Sequence, residues 1–287
     1  MSSVGQPKCL EVTGMNPQRQ RVSMIVFFLV SFGIPWATWI ALRMRHVALP
    51  EATFTFMVGA AFCSVGGVIA TYIATGRSGV SELAHRCVLY RVSIAWWFYA
   101  VFSALAVHTV ATIIYGALHG RVGPITPMEL FHKWWLFYMF VFGLFQGPLA
   151  EELAWRGFLL PRLLDKYSPL EASLILGLIW GTWHINAFFS PISTWVLFTA
   201  SAVALSILMT VMFLHTRGSV LLAIVMHWSV VPGKYIIGTL FPASQEPPDW
   251  LRAVVVIAVA VIIVAVTGRK LSLSASRIQK AGAHLPG

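Results

Sequence analysis

The sequence predicts an all-α, polytopic transmembrane bundle of about eight helices, and three observations carry that prediction. The 287 residues are 58% hydrophobic and only 10% charged, with a mean hydropathy of +0.78, whereas ordinary soluble domains carry about 25% charged residues. Apolar runs of about 20 residues, the length that crosses a bilayer, succeed one another along nearly the whole chain. The connections between them are short, so the bilayer rather than water is the solvent for which this sequence is written.

Taken in order, the expected spans lie near 22–43, 53–75, 93–118, 134–160, 170–189, 194–214, 218–241 and 250–267. The first follows Arg19 and Arg21 as a signal peptide would, but it is too long for an h-region and lacks a small-residue cleavage site, so it reads as a retained helix. Spans one to three occupy 22–133 behind a polar tail over 1–21; spans four to seven occupy 134–241; the last span and a polar tail fill 242–287. Positive charge collects in cytoplasmic loops. Thirteen Lys and Arg residues, from Lys8 through Arg77, Arg162 and Arg217 to Lys280, fall on the side shared by both termini, against at most five on the other. Both termini are therefore expected in the cytoplasm, with Trp36, Trp39, Trp134, Trp135, Trp195 and Trp250 near the outer interface.

A formal net charge of +10 invites nucleic acid as a partner, but the charges are scattered through loops and lie mostly on one membrane face. Topology and anionic lipid account for them. Cys9, Cys63 and Cys87 have neither paired nor metal-ligand spacing, which leaves them a packing role.

Chemistry concentrates in the fourth span. Eight of the ten acidic residues lie in tails, loops or at helix ends, whereas Glu151 and Glu152 are adjacent within an apolar run that also holds Arg156. Each such group costs roughly 2.5–3.5 kcal/mol near the bilayer centre if unpaired. Glu152 and Arg156, four residues apart, share a helix face and can pair. Glu151 is turned about 100° away, free to meet another helix, and Gly147-Pro148 one turn earlier should bend the helix. His184 and His227, inside the fifth and seventh spans, are the imidazoles positioned to join it, and Gly177 and Gly181 mark a close-packing face on the fifth. A carboxylate with two neutral imidazoles can bind Zn²⁺, and a Glu with a His can instead polarise water directly. The plainer alternatives are a structural ion pair for Glu152 and Arg156 and an interhelical hydrogen bond for a lone histidine, the reading that suits His108.

Glu151-Glu152-Leu153-Ala154-Trp155-Arg156 matches a Glu-Glu-x-x-x-Arg motif, Trp180 to His184 matches Phe-x-x-x-His with Trp for Phe, and His227 matches the histidine of a last motif. On these three motifs, over roughly residues 134–235, the chain resembles the CPBP family of CAAX proteases and bacteriocin-processing proteins, also called Abi or Rce1-like. The resemblance implies an intramembrane peptidase core over 134–241, a hydrophobic or lipid-modified peptide substrate, Glu151 activating water with His184 assisting, and His227 lining the same cavity. Glu152 and Arg156 correspond to the motif's second acid and its arginine. It leaves open whether Zn²⁺, on Glu151, His184 and His227, takes part. The family's usual Asn or Asp four residues after the last histidine is Val231 here, which favours a non-catalytic scaffold or self-immunity protein as the alternative. A proton-coupled transporter lacks its two-repeat organisation, and neither His-Glu-x-x-His nor an in-span Gly-x-Ser-x-Gly is present.

The topology is checked by placing a cysteine at Ser276 in the tail. Intact cells should protect it from an impermeant thiol reagent, and labelling from outside would reverse the orientation.

Overall fold

The computed structural model describes residues 16–46, 51–119, 143–184, 191–241 and 246–273. These form an all-α bundle, with no strand among the described residues. In order, the helices are α1 Pro17–Met44, α2 Glu51–Cys87, α3 Ile94–Leu118, a broken α4 over 143–164, α5 Pro169–Trp183, α6 Ile192–His215, α7 Val220–Leu240 and α8 Asp249–Thr267. This is the polytopic membrane bundle of about eight helices that the apolar runs predict.

Five stretches are long and apolar enough to cross a bilayer as they stand: α1, α2 from Val58 onward, α3, α6 and α8. The other three depart for identifiable reasons. α4 is interrupted, α7 carries Pro232 and Lys234 in its interior, and α5 has 15 residues, roughly 22 Å at 1.5 Å per residue. The expected fifth span, 170–189, thus ends as a helix at Trp183, and residues 185–190, like the expected start of the fourth span at 134–142, lie outside the described residues. Conversely, α2 runs past the expected end at 75 because the chain only kinks at Gly76, where φ is +70°.

Within a bilayer every backbone polar group must find a partner in the protein. α1 shows how this is met. Its middle opens into a π segment, Leu29–Gly33, and Pro35 has no N–H for the carbonyl of Ser31 one turn earlier. The indole N–H of Trp183 takes that carbonyl at 2.6 Å, tying α1 to α5. Trp36 donates to the carbonyl of Trp183 at 2.9 Å, and Trp39 packs edge-on against Trp183, its ring centroid 4.9 Å away. Trp39 is thus buried in the bundle. Phe27 stacks on Phe158 at 4.8 Å and meets Trp155 edge-on, so an aromatic layer lies directly beneath α4.

α5 and α6 approach backbone to backbone, as the glycine spacing predicts: a Cβ at Gly177 would lie 2.5 Å from Val203 Cα, and one at Gly181 2.7 Å from Thr199 Cγ2. One end of the bundle is stitched by loop contacts, Leu170 N–H to the Arg269 carbonyl at 3.1 Å and Ser219 Oγ to the Leu89 carbonyl at 2.8 Å.

Gly177→Val should therefore lose folded protein, at or beyond the about 1–3 kcal/mol typical of overpacking. Gly33→Ala, where a Cβ meets nothing within 4 Å, should be near neutral. The monodisperse fraction after detergent extraction reads both, and equal yields would contradict the close approach.

Candidate active site

The breaks in α4 place the acidic pair. Gly147, with φ −145° and ψ −60°, ends the first short piece, and Pro148 opens the next at its first position, where a missing N–H costs nothing. Pro148–Glu152 is α-helical, Leu153–Leu159 widens into a π segment, and Leu160–Leu164 returns to α. Wide turns of this kind gather at functional sites. Ser64 of α2 supports the entry, its hydroxyl reaching the carbonyls of Leu149 and Ala150 at 2.9 and 2.6 Å.

Glu152 and Arg156 pair across the wide turn, Nη1 lying 2.9 Å from both carboxylate oxygens with each side chain fully buried. Arg156 Cζ sits 4.7 Å from the centroid of the Trp180 ring, a cation–π contact. Glu152 Oε1 also accepts from His227 Nδ1 at 2.8 Å, so its oxygens are engaged from α4 and from α7.

Glu151, 3% exposed, is not the unencumbered carboxylate that spacing suggests. Its Oε2 accepts two indole N–H groups, from Trp180 at 2.6 Å and Trp155 at 3.1 Å. Its Oε1 faces His184 Nε2 at 3.9 Å. His184 caps α5 with φ −75° and ψ 59°, and its Nδ1 lies 3.0 Å from the Trp180 carbonyl. A carbonyl only accepts, so Nδ1 carries the proton and Nε2 of the neutral ring offers a lone pair. Gly147 borders the same space. A Cβ there would lie 3.0 Å from Glu151 Oε1 and 3.8 Å from His227 Nε2, so both atoms face one small region that glycine keeps open.

The five residues singled out in the sequence are thus gathered at one place, but as two linked units. Glu151 meets His184, whereas His227, expected to line the same cavity, bonds to Glu152 together with Arg156. Trp180 joins the units: it donates to Glu151, lies against Arg156 and meets the His227 ring edge-on at 5.0 Å. The sequence reading missed Trp155 and Trp180 as members of the site. The available signal is the Trp in place of Phe four residues before His184, since an indole N–H is a donor that phenylalanine lacks.

Val231, one turn beyond His227, is half exposed and brings no polar group to the site. Lys234 lies farther along α7, paired with Asp249 at 3.6 Å; Asn186 lies outside the described residues. His108 makes the expected interhelical bond, Nε2 to the Val230 carbonyl at 3.2 Å. For a metal, no three His, Cys, Asp or Glu side chains among the described residues are grouped as a ligand set. Glu151 Oε2 is already taken by two indoles and Glu152 by Arg156 and His227. Of the Zn²⁺ site considered for Glu151, His184 and His227, the donors left open are Glu151 Oε1 and His184 Nε2, 3.9 Å apart, with His227 Nε2 facing the same space. Beside the site, a recess of about 430 Å³ between α3, α6, α7 and α8 is walled mainly by apolar side chains, including Phe198 and Met226. The Phe198 ring lies 4.7 Å from that of His184.

Removing one member of the Glu152–Arg156 pair strands a buried charge, at about 3–5 kcal/mol. Arg156→Ala should deplete the folded protein, and Glu152→Leu combined with Arg156→Met should recover much of it. Detergent-extracted yield and melting temperature read the comparison; equal loss in both variants would contradict a charge-stranding mechanism.

Residues 132–231, which contain all five of these residues, match the family described as Type II CAAX prenyl endopeptidase Rce1-like. The chain is also similar to CAAX prenyl protease 2 of Methanococcus maripaludis, 33% identical over 101 residues, which cover 31% of this chain and 37% of the relative. It therefore spans little more than a third of the length of that curated relative. Over the region that builds the site, the chain is thus similar to Rce1-like CAAX prenyl endopeptidases.

Proposed function

We propose that the chain is an intramembrane endopeptidase that hydrolyses a peptide bond of a hydrophobic or lipid-modified substrate, with Glu151 as the base that activates water. The observation that carries this reading is the divided Glu151 carboxylate: Oε2 is pinned by Trp155 and Trp180, and Oε1 is left facing His184 Nε2 at 3.9 Å. A water about 2.8 Å from each donates one hydrogen to Oε1 and the other to Nε2. Glu151 takes the proton as the water oxygen adds to the substrate carbonyl carbon, forming a tetrahedral oxyanion. In its doubly protonated form, with Nδ1–H held by Glu152, His227 presents Nε2–H to that oxyanion. The carbon–nitrogen bond then breaks, and the leaving amine takes the proton from Glu151, returning the carboxylate. General base catalysis of this kind contributes about 10²–10⁴-fold.

The likeness to a prenyl protease supports a lipidated peptide as substrate, and the recess beside His184 gives an apolar segment a place next to the reacting bond. Membrane lipid surrounds the site, and both termini face the cytoplasm in this reading. Val231 supports the alternative, a non-catalytic member that binds a membrane partner or confers self-immunity, since α7 offers no amide there for an oxyanion.

The test is cleavage of a prenylated peptide by purified protein. Glu151→Gln, close in shape, should keep the protein folded and lower kcat by about 10²–10⁴-fold. Wild-type cleavage by Glu151→Gln would remove Glu151 as the base. No cleavage by the wild type across prenylated and unmodified hydrophobic peptides would favour the non-catalytic alternative.

A further inference from the structure

Arg86, near the end of α2, is 4% exposed and spreads its guanidinium over three backbone carbonyls. Nε donates to Gly218 at 2.8 Å, Nη2 to Arg156 at 2.8 Å and Nη1 to Gly157 at 3.3 Å. Cζ lies 5.1 Å from the Phe213 ring centroid. The two acceptors on α4 follow from the sequence of that helix. Proline has no N–H, so Pro161 cannot serve Gly157 four residues before it in an α-turn, nor Arg156 five residues before it in a π-turn. The N–H of Leu160 goes to Trp155. The third acceptor lies in the turn into α7, where Gly218 has φ +75°. A side chain there would start 3.3 Å from Arg86 Nε.

The two segments held by this one side chain carry the two halves of a contact in the site. Arg156, whose carbonyl Arg86 holds, pairs through its side chain with Glu152, and α7, entered through Gly218, carries His227. From this juxtaposition we infer that Arg86 is a positioning residue: it sets the separation of α4 and α7 and thereby the Glu152–His227 contact at 2.8 Å. Its planar fork suits the task, since a lysine ammonium is a point charge with no fixed spread of donors. The catalytic half of the inference rests on the endopeptidase reading proposed above; the coupling of the two segments does not.

Two readouts on Arg86→Ala keep these halves apart. Hydrogen exchange followed by mass spectrometry should show faster exchange both over 156–163 and over 218–224, with the remaining helices unchanged. With a cleavable peptide, kcat should fall at least tenfold at little-changed KM, and millimolar guanidinium, but not equal sodium chloride, should restore both exchange protection and kcat. Where Arg86→Ala does not accumulate, Arg86→Lys retains the cation and should show the same paired change. Exchange confined to one segment, or kcat within twofold of wild type despite faster exchange at both, would overturn the positioning role. If the wild type cleaves nothing, the endopeptidase reading falls, and the exchange pattern alone decides whether Arg86 couples α4 to α7.

Discussion

Three ionisable side chains within an apolar helix must be satisfied by protein alone, and the bundle is arranged around that requirement. Glu151, Glu152 and Arg156 are all buried, where water cannot repay their desolvation. Their partners come from different helices: Trp155 from α4 itself, Trp180 from α5 and His227 from α7. These three are also the helices that are broken, short or interrupted. The groups that make the site are therefore the same groups that hold together the helices least able to stand in a bilayer by themselves. Chemistry and fold share one network, and a change to either partner of the buried pair is felt in both.

Prolines create the openings in this network, and side chains close them. Pro35 releases the Ser31 carbonyl, which Trp183 takes; Pro161 withholds the N–H that Arg156 and Gly157 would use, and Arg86 takes both. A proline inside a helix costs about 3 kcal/mol when its carbonyl is left bare. Here each bare carbonyl becomes an anchor point for a neighbouring helix, so the interruption contributes to packing. These buried polar contacts involve backbone acceptors, which hydropathy along the chain does not register.

Much of this is legible in the sequence where one helix, taken alone, decides the outcome. The apolar runs locate the spans, the four-residue spacing of Glu152 and Arg156 gives their pair, and Gly177 and Gly181 give the approach of α5 to α6. What is not legible depends on departures from 3.6 residues per turn or on a second helix. A π segment over Leu153–Leu159 has no periodicity of its own to betray it. The burial of Trp39 comes from Trp183, which lies against it from another helix. His227 bonds to Glu152 and not Glu151 because α7 arrives on that side of α4, a fact of tertiary arrangement that residue spacing does not contain.

The adjacency of two acids with different partners has a physical consequence for how one of them can act. Were Arg156 to reach Glu151, the guanidinium would compete with water for the outward-facing oxygen; its Nη1 goes instead to both oxygens of Glu152. The remaining carboxylate is then held by two neutral indole donors on a single oxygen. Two donors from different helices hinder rotation about the terminal bond, so in the proposed reaction Oε1 is aimed before any substrate arrives. Aiming a reacting group in advance removes entropy from the activation step and accounts for much of what enclosed sites achieve. On the proposed endopeptidase reading, the Trp at 180, where the related motif has Phe, helps to position the base: it supplies the shorter of the two bonds to Glu151, and its ring lies against the neighbouring arginine.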